Sequence, residues 1–106
     1  MSYTIEYSSL AIRELDRVWA DVYEASQNVN VARKYIVDML EKIAKERDFP
    51  KSGSPLNYEG RFTGYYFIIY KPYVVFYRAE SSHILVDRIV CGKSDNIRTI
   101  LQSMNA

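Results

Sequence analysis

The sequence has a single cysteine, Cys91, and a single histidine, His83, among 106 residues. One cysteine excludes an intramolecular disulfide, and one Cys with one His excludes a Cys/His metal cluster. Charge of one sign is also lacking: 14 Lys and Arg against 13 Asp and Glu leave a formal net charge of +1. A strongly basic nucleic-acid-binding domain is therefore not indicated. No apolar run approaches the roughly 18 residues of a membrane span, so no membrane partner is expected. The first ten residues, MSYTIEYSSL, carry neither a basic segment nor an apolar one and do not read as an export signal. With the free cysteine, this makes the cytoplasm the expected compartment. Glycine and proline are scarce, at four and three residues.

What is present is an ordinary globular composition, 48% hydrophobic and 25% charged, in a chain long enough for one domain over residues 1–106. Its halves differ. Residues 1–50 hold seven basic and nine acidic side chains, a net of −2, and residues 51–106 hold seven and four, a net of +3. Six of the ten tyrosines lie between Tyr58 and Tyr77, in keeping with the fit of Tyr to pleated, half-buried surfaces.

Tyr3, Ile5 and Tyr7 alternate with polar residues and predict a short strand. Ser8 or Ser9 can cap a first helix, in which Ala11, Leu15, Val18, Trp19, Val22 and Ser26 share one face. Asn28 or Asn30 can cap a second, with Ala32, Tyr35, Ile36, Met39, Leu40 and Ile43 as its apolar stripe and an Asp38–Lys42 pair one turn apart. The short break predicts an αα-hairpin. Asp48-Phe49-Pro50 ends it. Residues 51–64, with Gly53, Pro55, Gly60 and Gly64, read as a long connection. Strands are expected over 65–70, 73–80 and 83–90, joined by hairpin turns at Lys71-Pro72 and Ser81-Ser82. Asp95 can cap a last short helix with Ile97, Ile100, Leu101 and Met104. The fold class is α+β: an N-terminal strand, an αα-hairpin, a three-stranded antiparallel meander and a short C-terminal helix.

Pairing Tyr70 with Tyr73 sets Ile68 against Val75 and Tyr66 against Tyr77. Pairing Glu80 with His83 sets Tyr77 against Val86 and Val75 against Arg88. One face then carries Tyr66, Ile68, Tyr70, Tyr73, Val75, Tyr77, Ile84, Val86 and Arg88. The other carries Tyr65, Phe67, Ile69, Val74, Phe76, Arg78, Leu85, Asp87 and Ile89. The second, rich in Phe, Ile, Leu and Val, is the better candidate to pack on the helices, with an Arg78–Asp87 ion pair at its margin. The first has the chemistry of a binding surface, large rigid rings with polar tips and an arginine. The alternative for it is a tyrosine-lined core face with Arg88 reaching the edge. The candidate partner-binding residues are Tyr66, Tyr70, Tyr73, Tyr77, Arg78, Arg88 and Lys93. Pro72 fits poorly in a two-residue I′ or II′ turn, and a longer loop there would change the facing.

Motifs for chemistry are few. Gly92-Lys93-Ser94 resembles the end of a phosphate-binding loop, but Asp87 stands where that loop needs a glycine. Neither His83 nor Cys91 has a sequence partner for nucleophilic catalysis, and no carboxylate pair has acid/base spacing. No cofactor is expected.

The order of elements resembles the RelE/ParE superfamily of toxins from bacterial type II toxin–antitoxin modules. The carrying segments are YTIEYSSLAIRELDRVW, residues 3–19, and YVVFYRAESSHILVDRIVCGKSD, residues 73–95. The second is similar to a Y-x-x-x-Y-R…I-x-x-x-R-I-x-x-G-x-x-D pattern. The resemblance implies a toxin neutralised by a cognate antitoxin wrapped over the hairpin and sheet. RelE-like members cut mRNA on the ribosome with sheet cations and a tyrosine, and ParE-like members poison DNA gyrase without them. Where RelE-like enzymes carry sheet cations, this chain has Tyr66, Ile68 and Tyr70, and beyond the last strand it has Ser94 and Ile100. Uncharged side chains cannot neutralise phosphate, so a ParE-like gyrase poison is expected. The alternative is a ribosome-dependent endoribonuclease with an atypical site built from Arg88, Tyr77 and Arg61.

Overall fold

The computed structural model describes residues 3–48, 50 and 53–92. The helix expected after Asp95, with Lys93, Ser94 and Ile100, lies outside the described residues. Strand β1 (Thr4–Tyr7) leads into helices α1 (Ser9–Ser26) and α2 (Val29–Ala44). A 3₁₀ turn, Lys45–Arg47, precedes strands β2 (Ser54–Tyr58), β3 (Arg61–Tyr70), β4 (Tyr73–Glu80) and β5 (His83–Cys91).

The helix boundaries follow from side-chain caps. Ser8 Oγ accepts the Ala11 N–H at 2.9 Å, and the Asn28 side chain accepts from Asn30 and Val31 at 2.9 and 3.3 Å, which removes orphan donors from each first turn. Gln27 takes the left-handed conformation that closes α1, donating its N–H to Tyr23 O at 2.6 Å. The Asp38–Lys42 pair does not form. Asp38 instead takes Lys34, one turn earlier, at 3.0 Å, and Lys42 donates to the Ile69 carbonyl at 2.8 Å.

The sheet order is β1-β5-β4-β3-β2. β1 runs parallel to β5, with Thr4 opposite His83 and Tyr7 opposite Val86, and the long connection that a parallel pair requires runs through the αα-hairpin and then β2, β3 and β4. The region expected to be an irregular connection contributes a strand: β2 and an extended β3 form a hairpin closed at Tyr58 and Arg61. Glu59 and Gly60 both have positive φ, 53° and 77°, as a type I′ turn demands. Thr63, Gly64 and Tyr65 together oppose Leu56 in a bulge. Gly64 supplies its φ of 89°, and Thr63 Oγ1 donates to the Leu56 carbonyl at 2.8 Å.

The β3–β4 register is the expected one, Tyr66 to Tyr77, Ile68 to Val75 and Tyr70 to Tyr73. It is kept across a two-residue turn containing a cis Lys71–Pro72 peptide bond. The β4–β5 register follows expectation from Glu80–His83 to Tyr77–Val86 and then shifts. Asp87 is an extra residue, so Phe76 meets Arg88 and Val75 meets Ile89. The expected pairing of Val75 with Arg88 is therefore not made.

The facing of the sheet is the reverse of the favoured expectation. Ile68, Tyr73, Val75, Tyr77, Ile84, Val86 and Ile89 join Ala11 and Val18 of α1 and Met39 and Ile43 of α2 in the main core. Tyr77 is fully buried. The Phe- and Val-bearing side forms a second cluster of Tyr65, Phe76 and Val90, with Leu56, Phe67 and Val74 against it. Tyrosine can line the core here because its hydroxyls reach acceptors. Tyr77 Oη donates to the Pro50 carbonyl at 2.7 Å and Tyr73 Oη to Asp21 at 3.2 Å.

Candidate functional site

The residues singled out from the sequence divide among four places. Tyr66, Tyr70, Tyr73 and Tyr77 form an aromatic layer between sheet and helices. Tyr66 stacks on Tyr77 with centroids 5.6 Å apart and meets exposed Phe62 edge-on at 5.5 Å. Tyr70 and Tyr73 stand edge-on to Tyr35 of α2 at 5.1 and 6.1 Å. Burial pushes the Tyr77 and Tyr73 hydroxyls well above the ordinary tyrosine pKa, and the adjacent carboxylates Glu46 and Asp21 add to it. Tyr77 and Tyr73 thus belong to the chain's own interior. Tyr66 and Tyr70 are half-buried and reach its margin.

Arg88 lies at the β5 edge just beyond the end of β1. Its Nε donates to both Glu14 carboxylate oxygens at 3.2 Å and its Nη2 to Oε2 at 2.9 Å. Glu14 Oε1 also accepts the Ile89 backbone N–H at 2.8 Å. With side chains only 21% and 17% exposed, this is a shielded, fork-on-carboxylate pair. Its location is a consequence of the Asp87 bulge.

Arg78 lies on the other side of the sheet, over the Tyr65 ring at 5.4 Å. It pairs with Glu80 at 3.1 Å. The expected Arg78–Asp87 pair is not present, because the bulged Asp87 accepts the Tyr65 hydroxyl at 3.0 Å. Burial, followed by that hydrogen bond, raises the Tyr65 pKa.

Arg61, exposed at the β2–β3 turn, completes the set. The structure does not bring Arg61, Tyr77 and Arg88 together: β4 lies between the β5 strand of Arg88 and β3, which Arg61 begins at its hairpin turn with β2. Tyr77 faces inward and Arg88 is held by Glu14. The three positions matched to RelE-like sheet cations, Tyr66, Ile68 and Tyr70, also pack with the helix-side core. On the opposite side, the neighbouring β3 positions are Tyr65, Phe67 and Ile69, again without a cation. Sequence reasoning missed Glu14 and Lys42, both on helices; their spacing gave no hint of sheet contacts, whereas Tyr35 stands in the apolar stripe expected of the second helix and packs on the core.

A family model for the ParE toxin of the type II toxin–antitoxin system parDE matches residues 5–96. The chain belongs to the ParE toxin family. Among solved structures, this toxin is similar to a chain of the chromosomal ParDE toxin–antitoxin system from P. aeruginosa. The TM-score is 0.69 at 18% identity, covering 85% of this chain and 96% of that one. It is also similar to a chain of the toxin–antitoxin complex RelBE2 from Mycobacterium tuberculosis, with a TM-score of 0.61 at 17% identity, covering 86% and 99%. At such identities these likenesses speak for the fold alone. No curated protein sequence matches the chain. No helix among the described residues is long and apolar enough to cross a membrane.

Proposed function

We propose that this toxin is held inactive by a cognate antitoxin and that, once free in the cytoplasm, it poisons DNA gyrase by binding rather than by cutting RNA. The observation that carries the binding reading is the dispersal of Arg61, Tyr77 and Arg88. Phosphodiester cleavage needs cations and a proton donor converging on one phosphate. Here the arginine is neutralised by Glu14 and the tyrosine is sealed in the core. The groups left for recognition are the ring margins of Tyr66 and Tyr70 and the Arg78–Tyr65 pair, which suit a protein partner.

Pulse labelling after induced expression tests this. Early loss of DNA synthesis, with purified gyrase inhibited by the purified toxin, is the expected outcome. Early loss of protein synthesis with cleaved mRNA would overturn it in favour of a ribosome-dependent endoribonuclease.

A further inference from the structure

Three open hollows adjoin where the β3–β4 turn meets the two helices. One, of about 490 Å³, lies between Tyr35, Lys42, Ile69, Tyr70 and Lys71. The next, of about 620 Å³, shares Ile69 and Lys71 with it and continues along Pro72, Tyr73, Val74 and Gly92. The third, of about 330 Å³, shares Tyr35 with the first and Pro72 and Tyr73 with the second, and runs up to Val22 and Ala25 of α1. Their shared residues make one groove around the turn.

The floor of this groove is set. Tyr35 Oη donates to the Lys71 carbonyl at 3.0 Å, Lys42 to the Ile69 carbonyl at 2.8 Å, and the Gly92 N–H to the Pro72 carbonyl at 2.7 Å. These bonds tie α2 and the end of β5 to the turn, so the walls are preformed. Ile69 stands 47% exposed at the junction of the first two hollows, an apolar side chain left open beside Pro72 and Val74.

Around the first two hollows the charged lining residues are lysines, Lys42 and Lys71. Lys42 and Lys71 are both exposed, and neither has a carboxylate within ion-pair distance among the described residues. Lys42 Nζ lies 5.9 Å from the Tyr70 ring centroid. The carboxylate that does line the groove, Asp21, is already engaged by Arg17 at 3.2 Å and by the Tyr73 hydroxyl. Glu41, next to Lys42 in sequence, lines a separate hollow with Ala44, Lys45, Arg47 and Asp48.

From this apolar floor and cationic rim we infer that the groove seats an acidic segment of the antitoxin, with an apolar side chain against Ile69 and carboxylates over Lys42 and Lys71. The inference rests on the reading that an antitoxin neutralises this toxin. Apolar contact gives such a segment its anchor, and the paired lysines draw in acid and reject base. The residues are supplied by the β3–β4 turn and the facing side of α2, so the segment would bridge sheet and hairpin at one end of the molecule.

The test is binding of the purified full-length toxin to the antitoxin encoded beside it, at low and high salt, by titration calorimetry. Thermal melts of each variant exclude misfolding. Lys42→Glu/Lys71→Glu is expected to weaken binding about tenfold at low salt and to flatten its salt dependence. Ile69→Asp is expected to weaken it by about tenfold or more at both salts. Lys45→Glu, outside the groove, should change it much less than Lys71→Glu. Folded variants that bind like wild type with the wild-type salt dependence would overturn the groove. A wild-type toxin that the antitoxin neither binds nor silences in growing cells would instead overturn the underlying reading.

Discussion

Glu14, in the second turn of α1, holds Arg88 of β5 and the backbone N–H of Ile89 with one carboxylate. The pair bridges 74 residues of sequence and closes the strand edge that β1 leaves open past Val86. Removing Glu14 strands a shielded guanidinium and an edge N–H together. Glu14→Ala is expected to cost about 2–4 kcal/mol. Glu14→Gln keeps an oxygen for Ile89 and should cost roughly half as much. Urea unfolding of the purified toxin measures both, and equal losses would show that the Ile89 bond contributes nothing separable.

Gly53 is required by Tyr77. A Cβ on Gly53 would collide with the Tyr77 hydroxyl, which is fixed by Pro50 O at 2.7 Å and Glu46 at 3.4 Å. Gly53→Ala is therefore expected to destabilise by about 1–3 kcal/mol. Tyr77→Phe removes the colliding atom and leaves the Pro50 carbonyl without its donor, at about 1 kcal/mol. A double-mutant cycle should show Gly53→Ala costing clearly less in the Tyr77→Phe background. Additive losses would refute the collision.

Ser8 joins the first helix to the bulge. Its Oγ accepts from Ala11 N at 2.9 Å and donates to the Asp87 carbonyl at 2.7 Å. Ser8→Ala loses the cap and orphans a carbonyl in the bulge, for an expected loss of about 1–2 kcal/mol. Ser8→Gly should lose less of the cap term but still lose the bond to Asp87. Amide hydrogen exchange would report the change first at Ala11 and along β5.

Much of this fold is legible locally. The serine and asparagine caps, the break after Ser26 and the pairing of Tyr66 with Tyr77 all follow from short-range chemistry. The bulge was there to be seen: Ile84 and Val86 are two apart, but Val86 and Ile89 are three apart around the adjacent charges Asp87 and Arg88. A strand that buries both cannot keep strict alternation. β2 is hidden because Ser54, Pro55 and Asn57 have little strand propensity and its turn is Glu59-Gly60 rather than Asn-Gly. The facing of the sheet is not legible from pattern, because phenylalanine outranks tyrosine in apolarity, whereas the core side is decided by where hydroxyls find acceptors. Those acceptors, Pro50, Glu46 and Asp21, sit in other elements and are invisible to pattern.

The same hydroxyls set the alkaline limit of the fold. Burial raises the pKa of Tyr7, Tyr35, Tyr65, Tyr73 and Tyr77, while in the unfolded chain each titrates near its ordinary value of about 10. Above that value the unfolded state sheds protons that the folded state keeps, so the unfolded chain binds fewer protons and stability falls as pH rises. Their stabilising contribution is fully present below about pH 10 and is lost progressively toward the folded pKa values. Urea midpoints should therefore decline above about pH 10. Tyr73→Phe is the sharper test, because Asp21 keeps Arg17 as a partner and the variant stays folded. Its midpoint should decline less steeply than that of wild type over the same range. An identical decline would mean that Tyr73 ionises in the folded protein as readily as in water.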